Sequence, residues 1–323
     1  MTSLYQPGIL DGVPAVARYV QFGLADKAPD AQAIKDALGR LSPLANGSDV
    51  VVGVGPSLAA ALGADVPGLH EFPDLSGHGV KVPSTPGVLW CWVRGSDLGD
   101  LLHLTRKVQK ALAPVFVVRH VVDAFRHALG ESGHGKDLTG YEDGTENPTG
   151  EAAEEAAFTQ GAGDGLDGGS FVAVQQWVHD LDAFEALADG DRDNHFGRRL
   201  ADNEEIEDSP TSAHVKRTAQ EDFDPPAFML RRSMPWMMSM QAGLMFVAFG
   251  QSLYAFEAQM RRMAGHEDGI VDAMFSISKP VSGAYFWCPP MRGGRLDLSF
   301  NYLWRTNVFG DAVTAQVGLS VPF

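Results

Sequence analysis

Two short stretches decide the fold: Val52-Gly53-Val54-Gly55-Pro56-Ser57-Leu58 in the first half of the chain and Val247-Ala248-Phe249-Gly250-Gln251-Ser252-Leu253 in the second. Each is an apolar run that turns on glycine and leads into a helix-forming stretch, Ala-rich after the first and YAFEAQMRRMAG after the second. The pattern reads as a buried strand, a Gly turn and a helix beginning near a Ser N-cap. Further on, each half presents a Trp-Cys pair within an apolar strand, LWCWV at 89–93 and YFWCP at 285–289. Upstream, AVARYVQFGL at 15–24 and FVAVQQWVHDLDAFEAL at 171–187 both read as a strand entering a helix. Units recurring at nearly matched spacing point to an internal duplication.

Strand, helix, strand, taken twice, is the order of a ferredoxin-like unit. The expected fold is therefore α+β: two ferredoxin-like domains, duplicated βαββαβ-type units with antiparallel sheets, over residues 1–138 and 139–323. The stretch from Glu131 to Gly169, rich in Gly, Asp and Glu and broken by Pro148, reads as loop, with 139–169 as the linker at the head of the second domain. The halves are unequal. Before its VAFGQSL strand the second half carries roughly forty extra residues, among them His195, Gly197-Arg198-Arg199 and Ser212-Ala213-His214-Val215-Lys216-Arg217. An insertion in one copy of a duplicated fold is a natural place for a site.

Composition narrows the function classes. At 323 residues, 45% apolar and 20% charged, the chain has the mixture of a globular protein with a substantial core. No run approaches the ~20 apolar residues of a membrane span. The opening MTSLYQPGILDGVP lacks a basic segment followed by an apolar one, so no signal peptide is expected. Cys91 and Cys288 form no CxxC pair and no disulfide framework, which fits a reducing compartment, and the expected location is the cytoplasm. A net charge of -16 argues against nucleic acid and favours neutral or cationic small molecules over anionic ones. No dinucleotide fingerprint is present, since GVGPSL has Leu58 where the third glycine belongs. P-loop, GxSxG and HExxH motifs are absent as well.

Three segments carry chemistry. The first is Gly140-Tyr141-Glu142-Asp143-Gly144-Thr145-Glu146-Asn147-Pro148. Six Asp-Gly pairs occur in the chain and each is by default a turn, so only the full string sets Asp143 apart. The second is SAHVKR around His214, one of ten histidines, none of which pairs with another ligand at zinc spacing. The third is FMLRRSMPW, residues 228 to 236. If it is a strand, Arg231 and Ser233 point one way and Arg232 the other. Arg232 is then expected to be an ordinary solvated arginine.

Together these strings resemble the dye-decolorizing peroxidases. GYEDGTENP is similar to that family's Gly-x-x-Asp-Gly signature, SAHVKR to its Ala-His-basic segment, and Arg231 with Ser233-Met234-Pro235 to its Arg-x-Asn/Ser-Met-Pro pattern. The resemblance spans mainly residues 140 to 290, and serine at 233 places the chain nearer the shorter bacterial branch without an export signal. It implies a peroxidase that reduces hydrogen peroxide and oxidises small organic, dye-like or phenolic, electron donors by one-electron steps. The implied cofactor is haem b (heme b, iron protoporphyrin IX), held mainly by the C-terminal domain. His214 would ligate the iron and Asp272, in GIVDAM, would hold its other ring nitrogen, with a helix-surface aspartate as the other reading of Asp272. Asp143 would move the peroxide proton. Arg231 would stabilise developing charge and help keep Asp143 ionised, and Ser233 would position a water. Which of Asp143 and Arg231 dominates varies among family members. Arg198, sixteen residues before His214, would meet a haem propionate unless it is a surface arginine. Asn147 is counted among the cofactor-binding residues. So are Phe246 and Phe249, for which plain core packing is the other reading.

The resemblance also implies a homo-oligomer. The chain ends GLSVPF soon after its last expected strand, so no compartment-targeting tail is expected. Cys288 could in principle offer a thiolate to haem iron, but it and Cys91 read more simply as small buried residues. The alternatives are a haem carrier, an enzyme that releases iron from the porphyrin, and a haem-free structural or cargo protein.

Overall fold

The computed structural model describes residues 4–25, 29–130 and 133–298. Its first half runs β1 (Val16–Leu24), α1 (Ala31–Leu41), β2 (Val50–Val54), α2 (Pro56–Ala61), β3 (Leu89–Gly95), α3 (Leu98–Leu112) and β4 (Phe116–Phe125). The second opens with α4 (Glu151–Ala157), β5 (Ser170–His179), α5 (Leu181–Glu185), α6 (Asp189–Phe196) and α7 (His214–Thr218). It continues through β6 (Leu230–Arg231), β7 (Met234–Met238), β8 (Gln241–Gly250), α8 (Tyr254–Met263), β9 (Ser278–Pro280) and β10 (Ala284–Cys288).

In the first half the strands lie in the order β4-β1-β3-β2, all antiparallel. In the second they lie β7-β8-β5-β10, with β6 in line with β7 and β9 in line with β10. Counted from its own first strand, each half has the same connectivity. The two sets do not stay separate sheets, as the sequence suggested. They meet through one residue pair at each end, Ala124 with Trp236 and Val54 with Trp287. Because β5 also pairs β8, eight strands close into a ring.

This topology corrects the expected repeat. The structural counterpart of β2 is β7, and that of β3 is β8, so VGVGPSL and VAFGQSL fall on non-equivalent strands. The two Trp-Cys strands, β3 and β10, are not counterparts either. A buried strand turning on glycine into a helix is a generic corner, and composition alone made the two alike. Nor does Ser57 cap a helix: Gly55 is the N-cap of α2, followed by Pro56. Glycine is required at 55 because a Cβ would sit 1.9 Å from the Gly87 carbonyl oxygen. The expected linker also holds more structure than its composition shows. It contains α4, whose Ala153, Ala156 and Ala157 are buried, and Phe158 stacks on Tyr5 with ring centroids 4.3 Å apart.

Strand alternation splits the apolar residues between two cores. Tyr19, Trp90, Trp92, Phe249 and Phe286 pack inside the ring. Outside the first half, α1 and α3 lay Ile34, Leu38, Leu41, Leu101, Val108 and Leu112 onto the sheet. Both helices start where an aspartate side chain accepts an amide hydrogen, Asp30 from Ala33 and Asp97 from Asp100. Outside the second half, α7 and α8 cover β5 and β8 incompletely, and a cleft remains. Among the described residues no helix is long and apolar enough to cross a membrane. The closing GLSVPF lies outside the described residues.

Candidate active site

The cleft is built on the outward face of β5 and β8, where Gln175 pairs with Phe246 and Trp177 with Leu244. Phe256, Met260 and Met263 of α8 form the apolar wall. His179, His214, Asp143 and Arg231 reach both this apolar part and a polar mouth lined by Glu146, Arg198 and Lys216. The mouth encloses about 1230 Å³ counted out to solvent.

Asp143 is delivered by a loop fastened at several points. Asp137 accepts hydrogen bonds from the Thr139 amide (3.0 Å) and hydroxyl (2.7 Å), closing the turn before the motif. Tyr141 donates to Asp193 (2.5 Å) and stacks on Phe196. The Glu146 carbonyl accepts from Gln220 (2.9 Å). Gly140 and Gly144 take φ of 93° and 83°, left-handed values that glycine adopts without strain. The Asp-Gly turn is therefore real, and it serves to aim the carboxylate. Burial pushes the Asp143 carboxyl above the usual carboxylate range, and nearby Asp137 adds to this. Arg231 acts in the expected direction, toward the ionised form, as do His214 and the Gly144 amide, but burial outweighs them.

Arg231 ends β6, opposite Ala248, and so points to the cleft face. Its backbone is clamped by Asn147, which accepts from the Arg231 N–H (2.8 Å) and donates to its carbonyl (3.0 Å). Asn147 thus spends its amide on Arg231. Arg232 points the other way, as alternation demands, yet it is not solvated. Its guanidinium is mostly buried and donates to the carbonyls of Ile9 (3.0 Å) and Leu10 (2.8 Å). Burial, with Arg94 nearby, lowers its pKa to about 10. Ser233 is buried, and its hydroxyl accepts a long 3.4 Å contact from the Val247 amide. It opens with Asp143 and Arg231 onto a neighbouring cavity and does not line the main cleft.

His214 opens α7. Its Nδ1 lies 2.8 Å from an oxygen of Asp272, a fully buried carboxylate whose other oxygen accepts the Met274 amide at 2.8 Å. Ring orientation is thereby fixed and Nε2 left for the cleft. Arg198 follows Gly197, which ends α6 in the left-handed conformation, and binds Glu146 (2.7 Å) and the Asn203 carbonyl (3.1 Å). Phe246 lines the cleft. Phe249 does not: it lies in the ring interior, 6.1 Å from Trp92 and 6.4 Å from Trp90 between ring centroids. Residues 246 and 249 have opposite parity on one strand, so they cannot share a face. Cys91 and Cys288 are buried thiols pushed well above their usual pKa by burial, and neither lines the cleft.

Sequence reasoning missed three polar residues here: Asp137, His179 and Gln175. The last two were accessible in principle, since 175, 177 and 179 share one face of a mainly apolar strand. Two side-chain nitrogens at the cleft, Arg231 Nε and Gln175 Nε2, are buried without a hydrogen-bond partner among the described residues. Unpaired buried donors in a cleft mark a place for a ligand with acceptor groups.

These features define a class: a protein with a broad apolar cleft in which a carboxylate-backed imidazole shares space with a buried acid and a guanidinium. Such an imidazole suits a flat, metal-bearing cofactor. The family model for Dyp-type peroxidase, C-terminal, matches residues 134–293. The chain is 29% identical over 275 residues to a dye-decolorizing peroxidase of Rhodococcus erythropolis, covering 80% of this chain and 79% of the relative. To that of Mycolicibacterium paratuberculosis it is 29% identical over 227 residues, 68% of this chain and 63% of the relative, less than two thirds of that protein's length. Among solved structures, a dye-decolorizing protein from V. cholerae superposes with a TM-score of 0.77 at 28% identity, covering 87% of this chain and 96% of that one. A DypB variant from Rhodococcus jostii RHA1 in complex with heme gives 0.77 at 26% identity, covering 87% and 94%. The chain is thus similar to dye-decolorizing peroxidases, in its C-terminal part by the family model and over most of its length by the solved structures.

Proposed function

We propose that the protein is a haem b peroxidase that reduces hydrogen peroxide at the expense of small organic electron donors. The observation that carries this is the His214–Asp272 pair, 2.8 Å long, opening into the same cleft as Asp143 and Arg231. The two halves, which repeat one strand order, are taken as ferredoxin-like domains divided near residue 138, the cofactor belonging to the second.

The donor set fits the group. His214 would hold the iron through Nε2, while Asp272 keeps hydrogen on Nδ1 and makes the ring a stronger donor. Leu244, Phe246, Phe256 and Met260 would pack the macrocycle and exclude water. Arg198, now on Glu146, is placed at the polar mouth where a propionate would compete for its guanidinium. Haem, once bound, supplies the iron at which the peroxide O–O bond breaks and stores the oxidising equivalents that donors return one electron at a time.

The remaining work falls to the chain. The Asp143 carboxylate takes a proton from one peroxide oxygen and gives it to the other, which leaves as water. Since burial raises its pKa, it becomes a base only above the ordinary carboxylate range. Arg231 stays protonated, cannot be that base, and stabilises the negative charge that develops as the bond breaks. Asn147 holds Arg231 through its backbone, and Ser233 faces the adjoining cavity, where it can order a water.

The decisive test is stopped-flow spectroscopy of haem-loaded protein with peroxide. A Soret band that changes rapidly on mixing, and stays unchanged in Asp143→Ala or Arg231→Ala, is the expected result. Haem binding with no reaction in the wild type would instead identify a carrier.

A further inference from the structure

One buried hydrogen-bonded pair at the cleft has no part in the peroxide chemistry above. His179, the last residue of β5, lies 3.1 Å through Nε2 from an Asp137 oxygen and 2.7 Å through Nδ1 from the Ser278 hydroxyl. The His179 and Asp137 side chains are only 3% and 10% exposed. His179 lines both parts of the cleft, and Asp137 lines its polar mouth, in each case together with Asp143.

We propose that His179 is a positioning residue for Asp143: by binding Asp137 it fastens the loop that presents the acid to the rigid end of β5. This rests on the peroxidase reading only for what Asp143 does, not for how the loop is held.

The connectivity supports this role. Asp137 shares its oxygens between two tasks, one facing His179 and the other closing the turn onto Thr139. The turn then leads directly into the motif, with the Asp137 amide bound to the Tyr141 carbonyl (2.8 Å) and the Asp143 amide to the Gly135 carbonyl (2.9 Å). At its far end the loop is fixed by Asn147 to the Arg231 backbone. Asp143 is therefore suspended between two anchors, one on β5 and one on β6.

A histidine suits the first anchor because both ring nitrogens are engaged. Ser278 sits on β9, paired directly opposite His179, so the ring is held from the strand beside it. The ionised Asp137 carboxylate can only accept, so Nε2 carries a hydrogen and donates to it, while Nδ1 meets the Ser278 hydroxyl at 2.7 Å. The same bond keeps a carboxylate ionised in a buried place: although burial pushes the Asp137 pKa up, His179 and Thr139 outweigh it and hold the pKa at about 2. A leucine at 179 would remove the anchor and strand that carboxylate, whereas a glutamine still offers one N–H.

The test uses the full chain, with and without haem, as His179→Leu, His179→Gln and Ser278→Ala. Without haem, amide hydrogen exchange over residues 137–147 should speed up in His179→Leu and stay near wild type in His179→Gln. With haem, His179→Leu should slow the peroxide reaction roughly tenfold to a hundredfold, the scale of an ångström misplacement. Its Soret band should be unchanged, and His179→Gln should restore most of the rate. Should His179→Leu fail to fold, Ser278→Ala reads the same anchor through a looser ring, with a smaller rise in exchange over 137–147. Unchanged exchange in both His179→Leu and Ser278→Ala overturns the anchor whatever the cofactor does. Faster exchange with a peroxide rate within twofold of wild type overturns the link to Asp143. A wild-type protein that takes up no haem defeats the peroxidase reading and leaves the exchange result standing.

Discussion

The outward faces of the two halves start from one strand order and end differently. On the first, β1 presents Val20 and Phe22, and α1 and α3 seal them with Ile34, Leu38 and Val108. On the second, the equivalent strand β5 presents Gln175 and His179, and α7 and α8 leave a cleft above them. The difference lies in the connection between first and second strands. In one half it runs from 25 to 49 and, among the described residues, includes a single helix, α1; in the other it runs from 180 to 229 and carries α5, α6 and α7 with His214. Strand order decides where a face lies, and the connection decides whether it is filled.

His214→Ala should break this asymmetry most completely. Without the imidazole the cleft keeps its walls but loses the proposed iron ligand, so haem occupancy should collapse or the Soret band should move. Haem bound with an unchanged axial ligand would sink the assignment. Next come Asp143→Ala and Arg231→Ala, each expected to lower the peroxide rate by about 10²–10⁴-fold at full haem occupancy. Losses below tenfold in both would place the chemistry elsewhere. Asp272→Asn should cost roughly 10–100-fold in haem affinity or rate, as loss of a ligand's partner usually does; titration of the apoprotein with haem reads it.

A subtler change sharpens the electrostatics. Asp143 is raised by burial and by Asp137, and lowered by Arg231, His214 and the Gly144 amide. In the proposed reaction Asp143 is a base when ionised, so activity should fall as pH drops through its pKa. Asp137→Asn removes one raising influence, and the acid limb of the pH–rate profile should move to lower pH. A shift upward would contradict this electrostatic account. The smallest effect on the site should come from inside the ring. Phe249→Ala should destabilise the fold by about 3–5 kcal/mol in denaturant titrations while haem affinity stays put, and Phe246→Ala should weaken haem binding.

Much of the candidate site could be read from the sequence because its residues sit in contiguous strings. Parity along 228–236 was enough to separate Arg231 from Arg232, which the structure places on opposite sides. The same parity, applied to 246 and 249, would have put Phe249 inside the ring. Asp272 stands 58 positions from His214, and no spacing rule brings such residues together; only the family resemblance pointed there. The closed ring was not legible, since it hangs on two pairs, Ala124–Trp236 and Val54–Trp287, drawn from distant strands. Nor was the fate of the solvated-looking Arg232, because its partners are backbone carbonyls at Ile9 and Leu10, which carry no signal in residue type.

The ring has a consequence for how this protein can meet others. Each of its eight strands has a neighbour on both sides among the described residues, but at two seams, β4 beside β7 and β2 beside β10, a single residue pair makes the join. Along the six fully paired contacts no row of open amides and carbonyls is left for a foreign strand to zip onto, so templated stacking, the usual hazard of β-rich chains, is confined to the seams. Association elsewhere around the ring has to proceed through side chains, and its specificity is set by surface shape and charge.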